Sequence, residues 1–346
     1  MSTPTKPLAL VIGATGGIGG ALADRLLAHG WRVRAMNRNP DKARATHPAL
    51  DWVKGDAMVE ADVVAAAHGA QIIVHGANPA GYRNWSELAR AMLNSTIAAA
   101  RDSGARILFP GNVYNYGPDA FPTFDETAPQ NPVTRKGRLR VQMEQTLMNA
   151  GVKVLLVRAG DFLGVRPGSD WLSNLIATPG KPVTSATWPG PLEVAHAWAW
   201  LPDLAETFVR LLKTDLADVE TFNFGGYAIT GHAFVAALGE AVGKTLPTKR
   251  MPWIALQVAS PFNETFREML EMRYLWDKVV LMDNAKLLAR LGAEPHTPLP
   301  DALRTALIGQ GSIPPLMGRE SSPEASRVGE SRSSSRLSIR AHASPP

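Results

Sequence analysis

The sequence predicts an α/β protein: a doubly wound parallel sheet followed by a smaller C-terminal lobe and a disordered tail. Short apolar runs alternate with amphipathic stretches through the first half of the 346 residues. Parallel strands need crossover connections, and helices on both faces of a sheet supply them. A glycine-rich turn follows the first apolar run, and after Gly160 the alternation gives way to stretches rich in proline, glycine and tryptophan. The boundaries expected are 1–160 for the sheet domain, 161–315 for a lobe interleaved with the end of the sheet, and 316–346 for the tail.

In order, "PLALVI" reads as a strand and "GGALADRLLAHG" as a helix ending at Gly30. "WRVRAM", "DWVKGD", "AQIIVHG" and "RILFPG" are the next strands, separated by helical segments at 41–45, 59–67 and 84–103. A helix over 135–149 leads into "VKVLLVRAG", and helical patterns return at 202–213, 231–242, 261–274 and 285–291. From Gly318 the chain carries five arginines and three glutamates in a serine-rich setting with few large apolar residues. Such a segment cannot bury enough surface to offset its ordering entropy.

Composition narrows the function. Hydrophobic residues are 45% and charged residues 19%, as in ordinary globular proteins. The absence of cysteine excludes disulfides, a thiolate nucleophile and cysteine-ligated metals. No His-x-x-x-His or acidic cluster argues for a metal. The net charge of +5 is not gathered with aromatics into a stripe, so no nucleic-acid partner is expected. The N-terminal apolar run is too short for a signal-peptide core, and no run approaches the roughly 20 residues of a membrane span. The expectation is a cytoplasmic protein with no membrane partner.

The turn after the first strand is "GATGGIGG", with Gly13, Gly16 and Gly19 spaced Gly-x-x-Gly-x-x-Gly. Glycines here permit the tight turn, let backbone amides approach a pyrophosphate and let the helix pack on the strand. The helix N-terminus offers free amides and the positive end of its dipole. This assigns residues 1–160 as a dinucleotide-binding domain, with Gly13, Thr15, Gly16, Gly17, Ile18 and Gly19 at the phosphates. An NAD site usually ends its second strand in a carboxylate for the ribose hydroxyl, whereas NADP needs a cation for the 2′-phosphate. "RVRAMNRNP" offers Asn37 and Arg38 with no acid before Asp41, which favours NADP over NAD.

With these motifs the chain resembles the short-chain dehydrogenase/reductase superfamily, in its extended or atypical branch that includes nucleotide-sugar epimerases and dehydratases. Over about residues 7 to 310 the resemblance places Asp56 and Ala57 ("KGDAM") near the adenine and Ala77 and Asn78 ("VHGAN") along the cofactor. "RAGDFLG" resembles the start of the substrate region, "WLPDLAETFVRLL" a later aspartate-led helix, and "LMDNAKLLARLGAEPHTPL" the C-terminal signature. It implies a Rossmann-like fold, a small-molecule substrate for the lobe 161–315, and Arg158, Asp161 and His196 facing the cleft. A homodimer through first-lobe helices is implied by analogy.

The family's active site carries a serine or threonine after the fifth strand and then a Tyr-x-x-x-Lys helix. Here "LFPGNVYNYGP" puts Asn112 at the hydroxyl position, followed by Tyr114 and Tyr116, and "TRKGRLRVQME" puts Lys136 at the tyrosine position and Arg140 at the lysine position. Lys136 and Arg140 are four apart, on one helix face. A neighbouring cation and burial could drive Lys136 toward the neutral amine and make it a general base; protonated, it could polarise a carbonyl in the reductive direction. Asn112 can donate to a substrate oxygen or stabilise the local turn. Other readings stay open: a phenol from Tyr114 or Tyr116, an ordinary Arg140–Glu144 surface pair, and no redox chemistry. Trp171, Trp188, Trp198 and Trp200 fit an ordinary core better than a pocket. The leading expectation is an NAD(P)-dependent oxidoreductase or epimerase; the alternative is a non-catalytic NADP-binding sensor or scaffold.

Overall fold

The computed structural model describes residues 6–79, 84–166 and 170–315; the tail expected from 316 lies outside them. Strands β1 (Leu8–Ile12), β2 (Arg32–Asn37), β3 (Asp51–Lys54), β4 (Ile72–His75) and β5 (Arg106–Asn112) alternate with helices α1 (Gly17–Ala28), α2 (Pro40–Thr46), α3 (Glu60–Ala67) and α4 (Trp85–Ser103). A short β6 (Thr123–Phe124), α5 (Arg135–Met148) and β7 (Val154–Ala159) follow. Beyond them run β8 (Asp161–Leu163), β9 (Ala186–Trp188), β10 (Ala195–Trp200), α6 (Leu201–Leu211), β11 (Val219–Asn223), β12 (Tyr227–Thr230) and α7 (Gly231–Val242). The last elements are β13 (Thr248–Arg250), α8 (Trp253–Ala259), α9 (Glu264–Glu271), α10 (Arg273–Trp276), β14 (Leu281–Met282), α11 (Ala285–Leu291) and α12 (Leu299–Gly309). The described residues up to Ile313 belong to one compact unit.

Seven strands form the main sheet in the order β11-β7-β5-β4-β1-β2-β3, every pair parallel. Buried on both faces, β1 is a continuous apolar run, and β4 and β7 are apolar throughout except at His75 and Arg158. One face packs against α1 and α6 through Leu22, Leu26, Leu204 and Phe208. The other packs against α3, α4 and α5 through Val63, Leu93, Ile97, Leu139, Met143 and Leu147. Strand order reverses between β1 and β4, and the loops leaving those two strands meet at the carboxyl edge, where open α/β sheets place their ligands.

The second half builds a three-stranded sheet, β12-β10-β8, and two strand pairs, β13-β9 and β14-β6. Trp188, Trp198 and Trp200 are buried there as core, and Trp276 joins them; Trp171 lies edge-on to Trp276 with ring centroids 4.8 Å apart. The helix expected over 261–274 is interrupted. Ser260–Phe262 forms a tight turn, the Asn263 side chain accepts from Phe266 N at 3.4 Å, and α9 and α10 follow as separate pieces. Periodicity alone did not register α8, which has no buried residue. No helix among the described residues is long and apolar enough to cross a membrane.

His75, at the end of β4, is buried and stacked on Phe109 with centroids 5.6 Å apart. The Thr96 hydroxyl donates to Met92 O at 2.9 Å, so at the 2.8 Å contact with His75 Nδ1 it must accept, and the imidazole carries its proton there. Burial, helped by the Arg140 cation, pushes the His75 pKa down to about 3. The unfolded chain then binds a proton near pH 6.5 that the native state refuses. Stability is full above that pH and falls as pH drops toward 3, by about 1.4 kcal/mol per unit from this group. Urea unfolding of wild type and His75→Asn at pH 7, 5.5 and 4.5 checks this: the variant loses that share of the slope, and identical slopes would refute it.

Candidate functional site

The loop from β1 into α1 is built so that only glycine fits. Gly13 has φ +88°, and a Cβ there would lie 2.5 Å from Gly76 O. A Cβ on Gly19 would lie 2.3 Å from Gly13 O. The loop after β1 and the backbone after β4 therefore touch at the switch point. Gly16 caps α1 without a side-chain hydrogen bond, and Gly16, Thr15 and Gly17 lie at least partly exposed at the helix N-terminus, the kind of end that favours anions. Ile18 packs against the core beneath them. One contact escaped the sequence reading: Arg166 donates to Ala14 O at 3.1 Å and pairs with Asp24 at 3.0 Å, fastening the segment after β8 to this loop. A lone arginine far along the chain gives no sequence signal for that.

At the end of β2, the Asn37 side chain accepts from Asn39 N at 2.8 Å, and the Asn39 side chain accepts from Lys42 N to cap α2. Arg38 is exposed and has no partner among the described residues, while Asp41 is engaged by Arg44 at 2.9 Å. Asp56 accepts from Met58 N at 3.0 Å, and its own amide donates to Asp62 Oδ2 at 2.9 Å; Ala57 packs on the core behind it. The edge of the crevice thus presents a guanidinium and no free carboxylate at the β2 end.

The other end of the crevice lies between the loop after β4, the end of β5 and the first turns of α5. Asn112 turns its side-chain oxygen onto Tyr114 N at 3.0 Å and caps the short turn Val113–Asn115, which leaves its amide NH₂ as the donor group. The Thr134 hydroxyl accepts from Gly137 N at 2.9 Å and starts α5. Gly137 lets that first turn press on the preceding segment, since a Cβ there would lie 2.2 Å from Tyr114 O. Arg140, one turn beyond Lys136, reaches Asn78 Oδ1 at 3.5 Å and lies 5.4 Å over the Trp85 ring; Trp85 also donates to Asn78 at 3.1 Å, beside Ala77. The Arg140 Nε is buried without a hydrogen-bond partner. Burial lowers the Arg140 pKa, opposed by Tyr114 and by Glu144. Asn78, Arg140, Tyr114 and Asn112 are thereby gathered on one side of the crevice.

Lys136 is buried, with Nζ 3.2 Å from Glu268 Oε2 of α9. Arg135 grips the same helix, pairing with Glu268 at 2.9 Å and Glu271 at 3.3 Å. Two cations of "TRKGR" clamp α9 onto the start of α5, Lys136 from a buried position and Arg135 from an exposed one. The contact is also absent from any i, i+4 argument, because its acids come from 130 residues further on.

Three expected cleft residues are placed elsewhere. Arg158 is fully buried in the sheet layer, where Nε and Nη2 donate to Glu144 Oε2 at 3.0 and 2.8 Å and Nη1 to the Tyr116 hydroxyl at 2.9 Å. That pair takes Glu144 away from Arg140, so the alternative of an Arg140–Glu144 surface pair is not what forms. Tyr116 is buried with it, its pKa pushed up to about 12 chiefly by burial, which removes it as a proton-transfer group. Asp161 and His196 do come together, at 3.4 Å between Oδ2 and Nδ1, but both are buried and His196 stacks on Trp276 with centroids 4.3 Å apart. Among the described residues no group of His, Asp and Glu could hold a metal ion.

Residues 13–171 match the NAD(P)H-binding family model. That stretch, just under half of the chain, is similar to NAD(P)H-binding domains. Solved structures named as epimerases share its fold. A candidate epimerase from Burkholderia cenocepacia J2315 is 20% identical, with 90% of this chain and 100% of that one aligned at a TM-score of 0.72. The UDP-glucose 4-epimerase of Bifidobacterium longum in complex with NAD+ and UDP is 16% identical, covering 88% and 100% at 0.68. The UDP-N-acetylglucosamine 4-epimerase of Bacillus cereus is 15% identical, covering 89% and 100% at 0.66. No curated protein sequence matches the chain significantly.

Removing one member of the buried Arg158–Glu144 pair strands the other charge without solvent. Arg158→Met is expected to cost about 3–5 kcal/mol in urea unfolding, and Arg158→Met with Glu144→Leu distinctly less. A single variant as stable as wild type would contradict this.

Proposed function

We propose that this chain is an NADP-dependent oxidoreductase or epimerase of the extended short-chain type, acting on a hydroxyl or carbonyl group of a small polar substrate held against the lobe 161–315. The observation that carries the reading is the glycine-only contact of Gly13 and Gly19 with the β4 loop, with the Asn112–Tyr114 turn and the start of α5 at the neighbouring strand end. The partnerless Arg38, with no free carboxylate beside it, supports NADP, because a guanidinium grips a phosphate where a carboxylate would repel it. Nucleotide sugars are the substrate class suggested by the named relatives.

A bound nicotinamide would supply hydride transfer at the substrate carbon. Asn112 would donate from its amide to the substrate oxygen and orient it. Lys136, whose Nζ lies 3.2 Å from Glu268 Oε2, would donate a proton to that oxygen as a carbonyl is reduced and take it back in the reverse direction. Arg140 adds a fixed positive charge beside Tyr114, and the Tyr114 phenol is the second group able to transfer the proton. A non-catalytic NADP-binding sensor is the second reading, favoured by one observation: the residue at the family's tyrosine position is occupied in an ion pair with Glu268.

Stopped-flow absorbance at the nicotinamide band, with aldehydes, ketones and nucleotide sugars, separates the readings. Lys136→Met is expected to lower turnover by about 10²-fold or more with cofactor affinity kept, whereas Tyr114→Phe leaves most activity; unchanged turnover in Lys136→Met would remove Lys136 from the mechanism. Arg38→Ala is expected to weaken NADPH binding about tenfold and leave NADH binding unaltered in titration calorimetry. Equal losses for the two coenzymes would contradict an NADP site at Arg38.

A further inference from the structure

Met251 to Phe262, "MPWIALQVASPF", is a stretch of twelve residues without a charge, and neither the sheet nor the proposed chemistry uses it. It forms α8 and the turn after it, and α8 buries none of its residues. Ile254 and Val258, four apart, share one helix face, and Phe262 follows in the turn. These are the three most exposed large hydrophobic residues among those described, at 81%, 72% and 94%. Side chains that bare stand on a ridge rather than line a groove. The ridge is seated on the lobe: the Trp253 indole donates to Pro189 O at 2.7 Å, Arg273 lies 5.4 Å over its ring, and Met251 is buried. Adjacent exposed apolar side chains of this kind mark a docking site more often than chance.

The surrounding charge selects the occupant. Lys249 and Arg250 lie exposed just before the ridge, and Arg267, Arg273 and Lys278 lie exposed after it. Among the described acids nearby, Glu268 and Glu271 are engaged by Arg135 and Lys136, leaving Asp277 and Glu193, which faces Arg250, against the five cations. A second copy seated on the same patch would bring these cations together. The chain's own segment beyond 318 is basic as well, with five arginines to three glutamates. What remains is a surface both anionic and apolar. Twelve residues are too short to span a bilayer, which takes about 20, but the seven-residue helix and the turn after it can lie in the interface with their apolar side chains among acyl chains.

We propose that α8 and the turn after it dock the protein on an anionic lipid surface, with Ile254, Val258 and Phe262 inserted below the headgroups and Lys249, Arg250 and Arg267 against the lipid phosphates. The docking is independent of cofactor chemistry, and its test needs no substrate.

Flotation of the full chain with vesicles of phosphatidylglycerol and phosphatidylcholine, and with phosphatidylcholine alone, tests it. Wild type is expected to float with the anionic vesicles, less so at about 0.5 M salt, and poorly with the neutral ones. Ile254→Ser/Val258→Ser/Phe262→Ser is expected to abolish flotation, and Phe262→Ser alone to weaken it, with the thermal midpoint of wild type because the replaced side chains are exposed. Lys249→Ala and Arg250→Ala are expected to weaken binding on the order of fivefold each. No flotation with anionic vesicles overturns the proposal, as does full binding by the triple-serine variant. Absence of vesicle binding together with a dimer that the triple-serine change converts to monomer, or with an acidic protein that only wild type retains, assigns the ridge to another copy or to that protein and overturns it equally.

Discussion

The close approach of two backbones at the switch point is the constraint on which the rest of the molecule depends. β1 and β4 are hydrogen-bonded neighbours whose exits lead to opposite faces of the sheet, and the crevice between those exits is set by how near Gly13 and Gly19 come to Gly76. A side chain at either loop glycine would meet backbone, not a movable side-chain tip. The same contact brings the amides of α1 to the crevice at one end and fixes how far they lie from the Asn112 turn at the other. Arg166 reinforces the loop from the second half of the chain, joining the sheet's carboxyl edge to the segment that follows β8.

Helix α5 shows how tertiary partners reassign charges along a single helix. Its apolar face, Leu139, Met143 and Leu147, enters the core, and its position is fixed by the Thr134 cap and by Gly137 against Tyr114. Glu144 lies one turn from Arg140 yet bonds Arg158 from β7, because two donors from a buried guanidinium outcompete a loose helical neighbour. Arg140 then keeps a charge that no carboxylate ion pair neutralises among the described residues. That charge is felt by buried His75 as well as by Tyr114. Lys136, in turn, draws its counter-charge from α9, so the start of the helix is the place where the sheet and the last third of the chain are joined electrostatically.

Much of this was legible in the sequence because it is governed by local periodicity. The parallel sheet, the glycine turn, α5 and α7 follow from apolar spacing and from residues that permit particular backbone shapes, and α7 was bounded to the residue at 231–242. The bare Arg38 after β2 follows from the end of the second strand, and Asn112 at the end of β5 from the family resemblance. What could not be read were pairings that a one-dimensional pattern does not encode. Arg158 sits in an expected strand and His196 in one that the sequence did not mark, and which side of a short strand is buried depends on what covers it, here Glu144 with Tyr116 and Trp276. The Lys136–Glu268 contact and α8, whose apolar side chains face outward, break the rule that apolar periodicity marks a buried face, so pattern reading had no purchase on them.

The central claim is that the glycine cradle seats the diphosphate of a nicotinamide dinucleotide. Titration calorimetry of the cofactor-stripped wild type and of Gly19→Ala, with both reduced and both oxidised coenzymes, tests it most directly. One-to-one binding by wild type is expected, with at least about a tenfold loss in Gly19→Ala, whose Cβ would stand 2.3 Å from Gly13 O. Absence of binding heat from wild type with all four coenzymes, or equal affinity in the two proteins, would contradict it.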